Sequence, residues 1–155
     1  MGTHIQQIID RYQLQPHPEG GYFREVYRSE QILNSPVHNE NRNAVTHIYF
    51  LLVKGQVSRF HKVIHDEIWN FYEGASLKLI EFNGSEIQEI IIGENDYFKV
   101  IKGGVFQAAE STGDYSLVGC SVAPGFDFKD FSFINSNSRN FETIKHKFQD
   151  YMKYL

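Results

Sequence analysis

About eight short runs of β-favouring residues, each closed by glycine, proline or Asn-Gly, fill the chain from Tyr22 to Ile134, and helical spacing occurs only near the two ends. The pattern therefore predicts an all-β fold of closed or two-sheet type, such as a jelly roll, with one short helix at each end. The runs are Tyr22–Arg28, Ala44–Val53, Gly55–Gly74, Ser76–Phe82, Ile87–Ile92, Tyr97–Ile101, Val105–Ala109 and Asp114–Ala123. Asn83-Gly84 between two of them is a hairpin signal. Phe126–Ile134 alternates aromatic and polar residues and reads as an edge or intersubunit strand. Residues 3–14 carry Ile5, Ile8, Ile9 and Tyr12 on one stripe behind a Thr3–Gln6 capping box, and Pro16 and Pro18 end that helix. Phe141, Ile144, Phe148, Met152 and Leu155 mark a second helix over Arg139–Leu155. Residues 29–43 are polar and read as a surface loop. No linker, repeat or low-complexity tract divides the chain, so 1–155 reads as a single domain.

A net charge of −4 with scattered basic residues leaves no footprint for nucleic acid. No apolar run approaches the ~20 residues that span a bilayer. The opening residues lack the basic and apolar regions of a secretory signal, so a cytoplasmic location is expected. Aromatic residues make up 15% of the chain, which suits a ring-lined interior. Cys120 stands alone in an apolar run and reads as a buried, inert thiol.

Chemistry concentrates in Gly55–Gly74, GQVSRFHKVIHDEIWNFYEG. On one strand, the odd spacing of His61, His65 and Glu67 points all three to one face, and Trp69 and Phe71 continue the phase. Polar groups among apolar neighbours suggest a pocket lining.

Gly55, His61, Glu67 and Gly74 resemble the first signature of the cupin superfamily, with Val63 where its second histidine stands. The second signature is matched around Gly104, with Lys102 in place of its proline and Gln107 in place of its metal-binding histidine. HPEGGYFRE (His17–Glu25), IYFLL (Ile48–Leu52), the DEIW-x-FY segment ending at Tyr72, Gly104–Ala109 and VGC-x-VAPGFDF (Val118–Phe128) resemble a bacterial and fungal domain-of-unknown-function branch of that superfamily. The resemblance implies a cupin-type jelly-roll barrel, usually a homodimer, with a pocket between its sheets. With Val63 and Gln107 in two ligand positions, no metal cofactor is expected; a weak divalent site at His61, Glu67 and Gln107 is the alternative.

The functional expectation is a pocket for a small, sugar-like molecule, with metal-independent sugar or nucleotide-sugar epimerisation or isomerisation as the reaction. His61 or His65 would act as base, Glu67 would orient it, and Tyr72 or Tyr115 would return the proton. Arg24, Tyr49, Trp69, Phe71, Gln107 and Tyr115 are the expected ligand contacts. His17 and Asp127 are expected to fix loop geometry. The alternatives are a non-catalytic binding or storage module and a weakly metal-binding isomerase or oxygenase.

Overall fold

The structure is a computed structural model and describes residues 2–155. In chain order its elements are α1 (Thr3–Tyr12), β1 (Gln15–Pro16), β2 (Tyr22–Arg28), β3 (Ile32–Asn34), β4 (Asn41–Asn43), β5 (Thr46–Val53), β6 (Val57–Val63), β7 (Asp66–Gly74), β8 (Leu77–Phe82), β9 (Ile87–Ile92), β10 (Phe98–Ile101), β11 (Phe106–Ser111), β12 (Tyr115–Ala123), β13 (Phe131–Phe133) and α2 (Arg139–Lys147). A six-stranded sheet in the order β1-β2-β5-β12-β7-β10 faces a five-stranded sheet in the order β13-β6-β11-β8-β9. This is the expected jelly roll.

Alternation along the strands builds the layers. Inward positions Phe50, Leu52, Trp69, Leu77, Leu79, Ile92, Ile101 and Val118 pack one end of the sandwich solid. On the outer face of the six-stranded sheet, Ile5 and Ile8 of α1 cover Leu51 and Leu117. On the outer face of the other sheet, Ile144 of α2 and Tyr154 cover Phe60, Ile80 and Phe82. The opposite end of the sandwich interior stays open, and the candidate site lies there.

The structure redraws five sequence expectations. Gly55–Gly74 is two strands, not one: β6 belongs to the five-stranded sheet and β7 to the six-stranded sheet, so the chain changes sheets between Val63 and Asp66. Residues 29–43 hold a small hairpin, β3 paired with β4, in place of an irregular loop. Of the aromatic run Phe126–Ile134, only β13 is strand, and it pairs with β6 of its own chain. The residues before it form a 3-10 turn, Phe128–Asp130, whose start is capped by the Asp127 side chain accepting from the Lys129 amide. The C-terminal helix ends at Lys147, and Gln149–Tyr154 continues as a 3-10 helix. At the N-terminus the Thr3 capping box does not form, because the cap is Gly2.

Candidate functional site

The sheet change at Ile64–His65 is what makes a site. Because β6 and β7 lie in opposite sheets and both turn these positions inward, His61 and Glu67 face each other across the sandwich. Gln107 on β11 pairs in register with His61 and lies between the two, wholly buried. Its amide is clamped at both ends. The Trp69 indole N–H donates to Gln107 Oε1 at 2.8 Å. The amide nitrogen lies 3.3 Å from His61 Nε2 and donates to Glu67 Oε2.

A fourth polar group arrives from the HPEGG loop. Gly20 and Gly21 have φ of +111° and +77°, and a side chain at Gly20 would meet the Val57 carbonyl oxygen at 2.0 Å. Only glycines let the loop lie this close to β6. The Arg59 amide donates to the Glu19 carbonyl at 2.9 Å, which tacks the loop to the strand. The Glu19 side chain is thereby turned inward, 5% exposed, with Oε2 2.8 Å from His61 Nδ1. His61 Nδ1 also lies 2.7 Å from the Arg59 carbonyl oxygen, which can only accept, so this nitrogen carries the proton. His17 Nδ1 accepts from the Glu19 amide at 3.2 Å, and its ring packs edge-on against Phe23 at 4.5 Å.

His17, Glu19, His61 and Glu67 line one cavity of about 440 Å³, and Gln107 and Trp69 support His61 and Glu67 from outside its lining. Its walls are Phe23, Ile48, Val63, Cys120, Val122, Phe126, Phe128 and Phe131, with Glu25, Arg28 and Asp127 also lining it. Phe131 stacks on His61 at 5.2 Å. Arg28 donates to both carboxylate oxygens of Glu25, to Asn43 Oδ1 and to the Phe126 carbonyl, so its charge is already matched.

The protonation equilibria follow from burial and neighbours. Burial pushes the Glu67 carboxyl up, and the Glu19 charge adds to that, to about 7. For Glu19 burial also works upward, but the His61 imidazolium outweighs it and the pKa is lowered. For His61 burial pulls downward, and Glu19 reverses this, so the ring holds its proton more tightly than an ordinary histidine. A proton on His61 Nε2 faces the Gln107 amide, which offers it no acceptor. That proton is the one free to pass to Glu67 or to a ligand. Burial lowers the His17 pKa, and it raises the Cys120 thiol well above its ordinary value, so Cys120 is a neutral wall residue.

Of the residues expected from sequence, His61, Glu67, Trp69 and Gln107 come together here. Phe71 packs against the interior cluster below the cavity. The others lie elsewhere, because the strand phase turns them outward or the sheet change moves them away. Tyr72 is 44% exposed on the outer face and bonds His47 Nε2 at 2.8 Å; Tyr49 packs beside it. Arg24 donates to Gln13 Oε1 and the Tyr12 carbonyl. Tyr115 donates to Glu73 Oε1 and meets His4. His17 and Asp127, expected only to shape loops, line the cavity as well. Glu19 was missed, although an acid between Pro18 and a Gly-Gly pair was a usable signal: such a loop can lie flat against a sheet.

His65 occupies a second buried cluster at the corner. Its Nε2 is 2.7 Å from Ser35 Oγ and its Nδ1 is 3.7 Å from Asp130 Oδ2. Asp130 accepts from Arg42 Nε at 2.8 Å and Nη2 at 2.7 Å, and His38 Nε2 is 3.2 Å from it. His38, His65 and Asp130 bring ligand-type atoms within 4.8 Å of one another, a candidate cation site among the described residues. A cation there would have to share Asp130 with the Arg42 guanidinium. It would also need the lone pair of His38 Nε2, whereas His38 Nδ1 already accepts from the Glu40 amide, which places the proton on Nε2.

The cupin-type metal position fits less well. An ion held by His61 and Glu67 would need a third donor from Gln107 or position 63, and Val63 offers none. The weak site expected at His61, Glu67 and Gln107 depends on the Gln107 oxygen, but that oxygen is committed to Trp69, and the atom aimed between His61 and Glu67 is an N–H donor. The donor set does not suit a cation.

The family described as Cupin superfamily (DUF985) matches residues 6–134. The Saccharomyces cerevisiae protein called Uncharacterized protein YML079W is 31% identical, over 92% of this chain and 79% of its own length. Among solved structures, a hypothetical protein from Leishmania major is similar with a TM-score of 0.83 at 27% identity, covering 96% of this chain and 95% of that one. Protein SO0799 from Shewanella oneidensis superposes with a TM-score of 0.79 at 31% identity, covering 94% and 90%. Among the described residues no helix is long and apolar enough to cross a membrane.

Proposed function

This chain belongs to the DUF985 family of the cupin superfamily, and from that premise we propose that its pocket binds a small organic molecule and moves a proton on it without a metal. The observation that supports this most is the facing pair His61 and Glu67, both buried, both titrating away from their ordinary values, at the floor of a ring-walled cavity. Chemistry of this kind suits a carbon acid beside a carbonyl. One of the pair takes the proton from carbon and the other returns one, and the Glu67 pKa, raised to about 7, favours its part in that exchange near neutral pH. Glu19 holds the His61 ring, and Phe131 stacks on it.

For the substrate, a sugar-like molecule is the finer reading, since aromatic walls receive C–H faces while carboxylates and imidazoles bond hydroxyls. Among the described residues Arg28 is the lone lysine or arginine in the cavity wall, and it is matched by Glu25. Within the sugar class this favours an uncharged sugar in the cavity over a phosphorylated one or a nucleotide sugar. The test is deuterium wash-in from D2O across free sugars, sugar phosphates and nucleotide sugars. Incorporation at a carbon next to the carbonyl, lost in His61→Gln and Glu67→Gln, is expected. No incorporation in any member of the panel removes the catalytic reading and leaves a binding module.

A homodimer belongs to the same proposal. Beyond α1, the six-stranded sheet exposes Val26, Ile68, Tyr72 and Phe98, apolar surface that a second copy would cover. Light scattering that returned an 18.0 kDa particle would end it.

A further inference from the structure

We infer that Gln107, set by Trp69, takes the structural place of a metal ion in this pocket: its amide bridges His61 and Glu67 as a cation would, and so closes the pocket to divalent cations. Three features carry this. The amide nitrogen reaches both sides while wholly buried, donating to Glu67 Oε2 and lying 3.3 Å from His61 Nε2, whose lone pair it meets when the ring carries only its Nδ1 proton. Its direction is fixed, because the Trp69 indole N–H can only donate and so holds Oε1. A flipped amide would set an N–H against the indole N–H and leave both donors unpaired in the interior, where an unmade bond is costly. The last feature is Val63, 5% exposed in the cavity wall two positions from His61 on the same strand face, where an ion would otherwise find its next ligand.

Gln107 is thus a positioning residue. It orients the Glu67 carboxylate and the His61 ring without supplying Lewis acidity, and it leaves a proton, not a cation, as the exchangeable charge of the site. The restriction is local to two side chains. Restoring lone pairs at positions 63 and 107 should therefore make a cation site in the same scaffold.

The proposal rests on reading this cavity as the functional site, but its test measures metal and not turnover. Absence of deuterium exchange would sink the proposed reaction and leave this inference standing. Co(II) is titrated by calorimetry and visible absorption into His65→Ala protein, which removes the corner histidine, and into the same background carrying Val63→His and Gln107→His. The parent is expected to show no His61-dependent Co(II) binding, and the double variant at least 100-fold tighter binding that is lost on adding His61→Ala. Where circular dichroism shows the double variant unfolded, the near-isosteric Gln107→Glu, which places a carboxylate between His61 and Glu67, carries the same expectation. Stoichiometric, His61-dependent Co(II) binding by the parent overturns the inference. So does a folded variant that binds no better than the parent.

Discussion

His61 and His65 stand one helical turn apart in sequence spacing yet serve opposite ends of a sheet change, and their surroundings share one recipe with different outcomes. Each is buried beside a buried carboxylate: Glu19 for His61, Asp130 for His65. At the corner that carboxylate is held by the Arg42 guanidinium. Burial works against its charge, but Arg42 outweighs burial and lowers the Asp130 pKa. With the negative charge already answered, burial dominates at His65 and lowers its pKa. Among the described residues the charges that meet Glu19 in the pocket are the histidines His61 and His17, so His61 is the main answering charge, and Glu67 is left as an extra buried acid pushed up to about 7. A cation supplied by arginine locks a cluster, whereas one supplied by histidine leaves it able to exchange protons near neutrality.

The sharpest way to break this contrast is Glu67→Gln. The substitution keeps shape and the contact with Gln107 while removing the titrating proton. Deuterium exchange should fall by about 100-fold or more, the usual scale for losing a general acid or base. A matched His65→Gln should alter exchange little, because His65 lies outside the cavity lining. Equal losses in the two variants would mean that the corner and the pocket act as one site.

Stability against pH should separate the same two regions by sign. The folded-state pKa of Glu67 is raised from 4.5 to about 7, so its contribution is complete below pH 4.5 and is lost as pH rises through 7. The stability of Glu67→Gln relative to the parent should therefore grow from pH 5 to pH 8, by at most about 3 kcal/mol for a shift of this size. His65 runs the other way. Its pKa is lowered from 6.5, so its contribution is complete above pH 6.5 and fades on acidification. Chemical denaturation of the parent, Glu67→Gln and His65→Gln across this range reads both slopes. Slopes of the same sign for the two residues would contradict the assignment.

Trp69→Phe probes the bridge that keeps the pocket exchangeable. It leaves Gln107 Oε1 buried without a donor, which costs about 1–3 kcal/mol, and it frees the amide to turn. Stability should fall by that amount in urea unfolding, and exchange activity should fall with it, while the corner's histidine NMR signals stay unchanged. Full activity would show that the amide orientation does not matter.

The fold was largely legible because period-two alternation and glycine turns report sheet faces directly, and the phase of Trp69 and Phe71 was read correctly as inward. The site was legible in half. His61 and Glu67 were found by spacing on one strand, although the two residues lie on different strands and face each other because the chain changes sheets between them. Nothing in local alternation signals that change, so His65 was assigned to the pocket. Glu19 was hidden for a related reason: its approach to His61 is a contact across 42 positions of chain, set by how a Gly-Gly loop lies on β6.

Tyr72 gives the smallest expected effect and the cleanest check on that account. The sequence reading makes it a candidate to return the proton, yet its hydroxyl is on the outer face, bonded to His47. A side chain added at Gly119 would strike that hydroxyl at 2.2 Å, so the ring lies flat over β12 on the side away from the cavity. Removing only the hydroxyl in Tyr72→Phe leaves the ring in place. Stability should change by no more than about 0.5 kcal/mol, as for other exposed substitutions, and deuterium exchange should stay within about twofold of the parent, well short of the loss expected for a general acid. A loss on the scale of Glu67→Gln would place the reacting proton on the outer face of the six-stranded sheet and empty the cavity of its role.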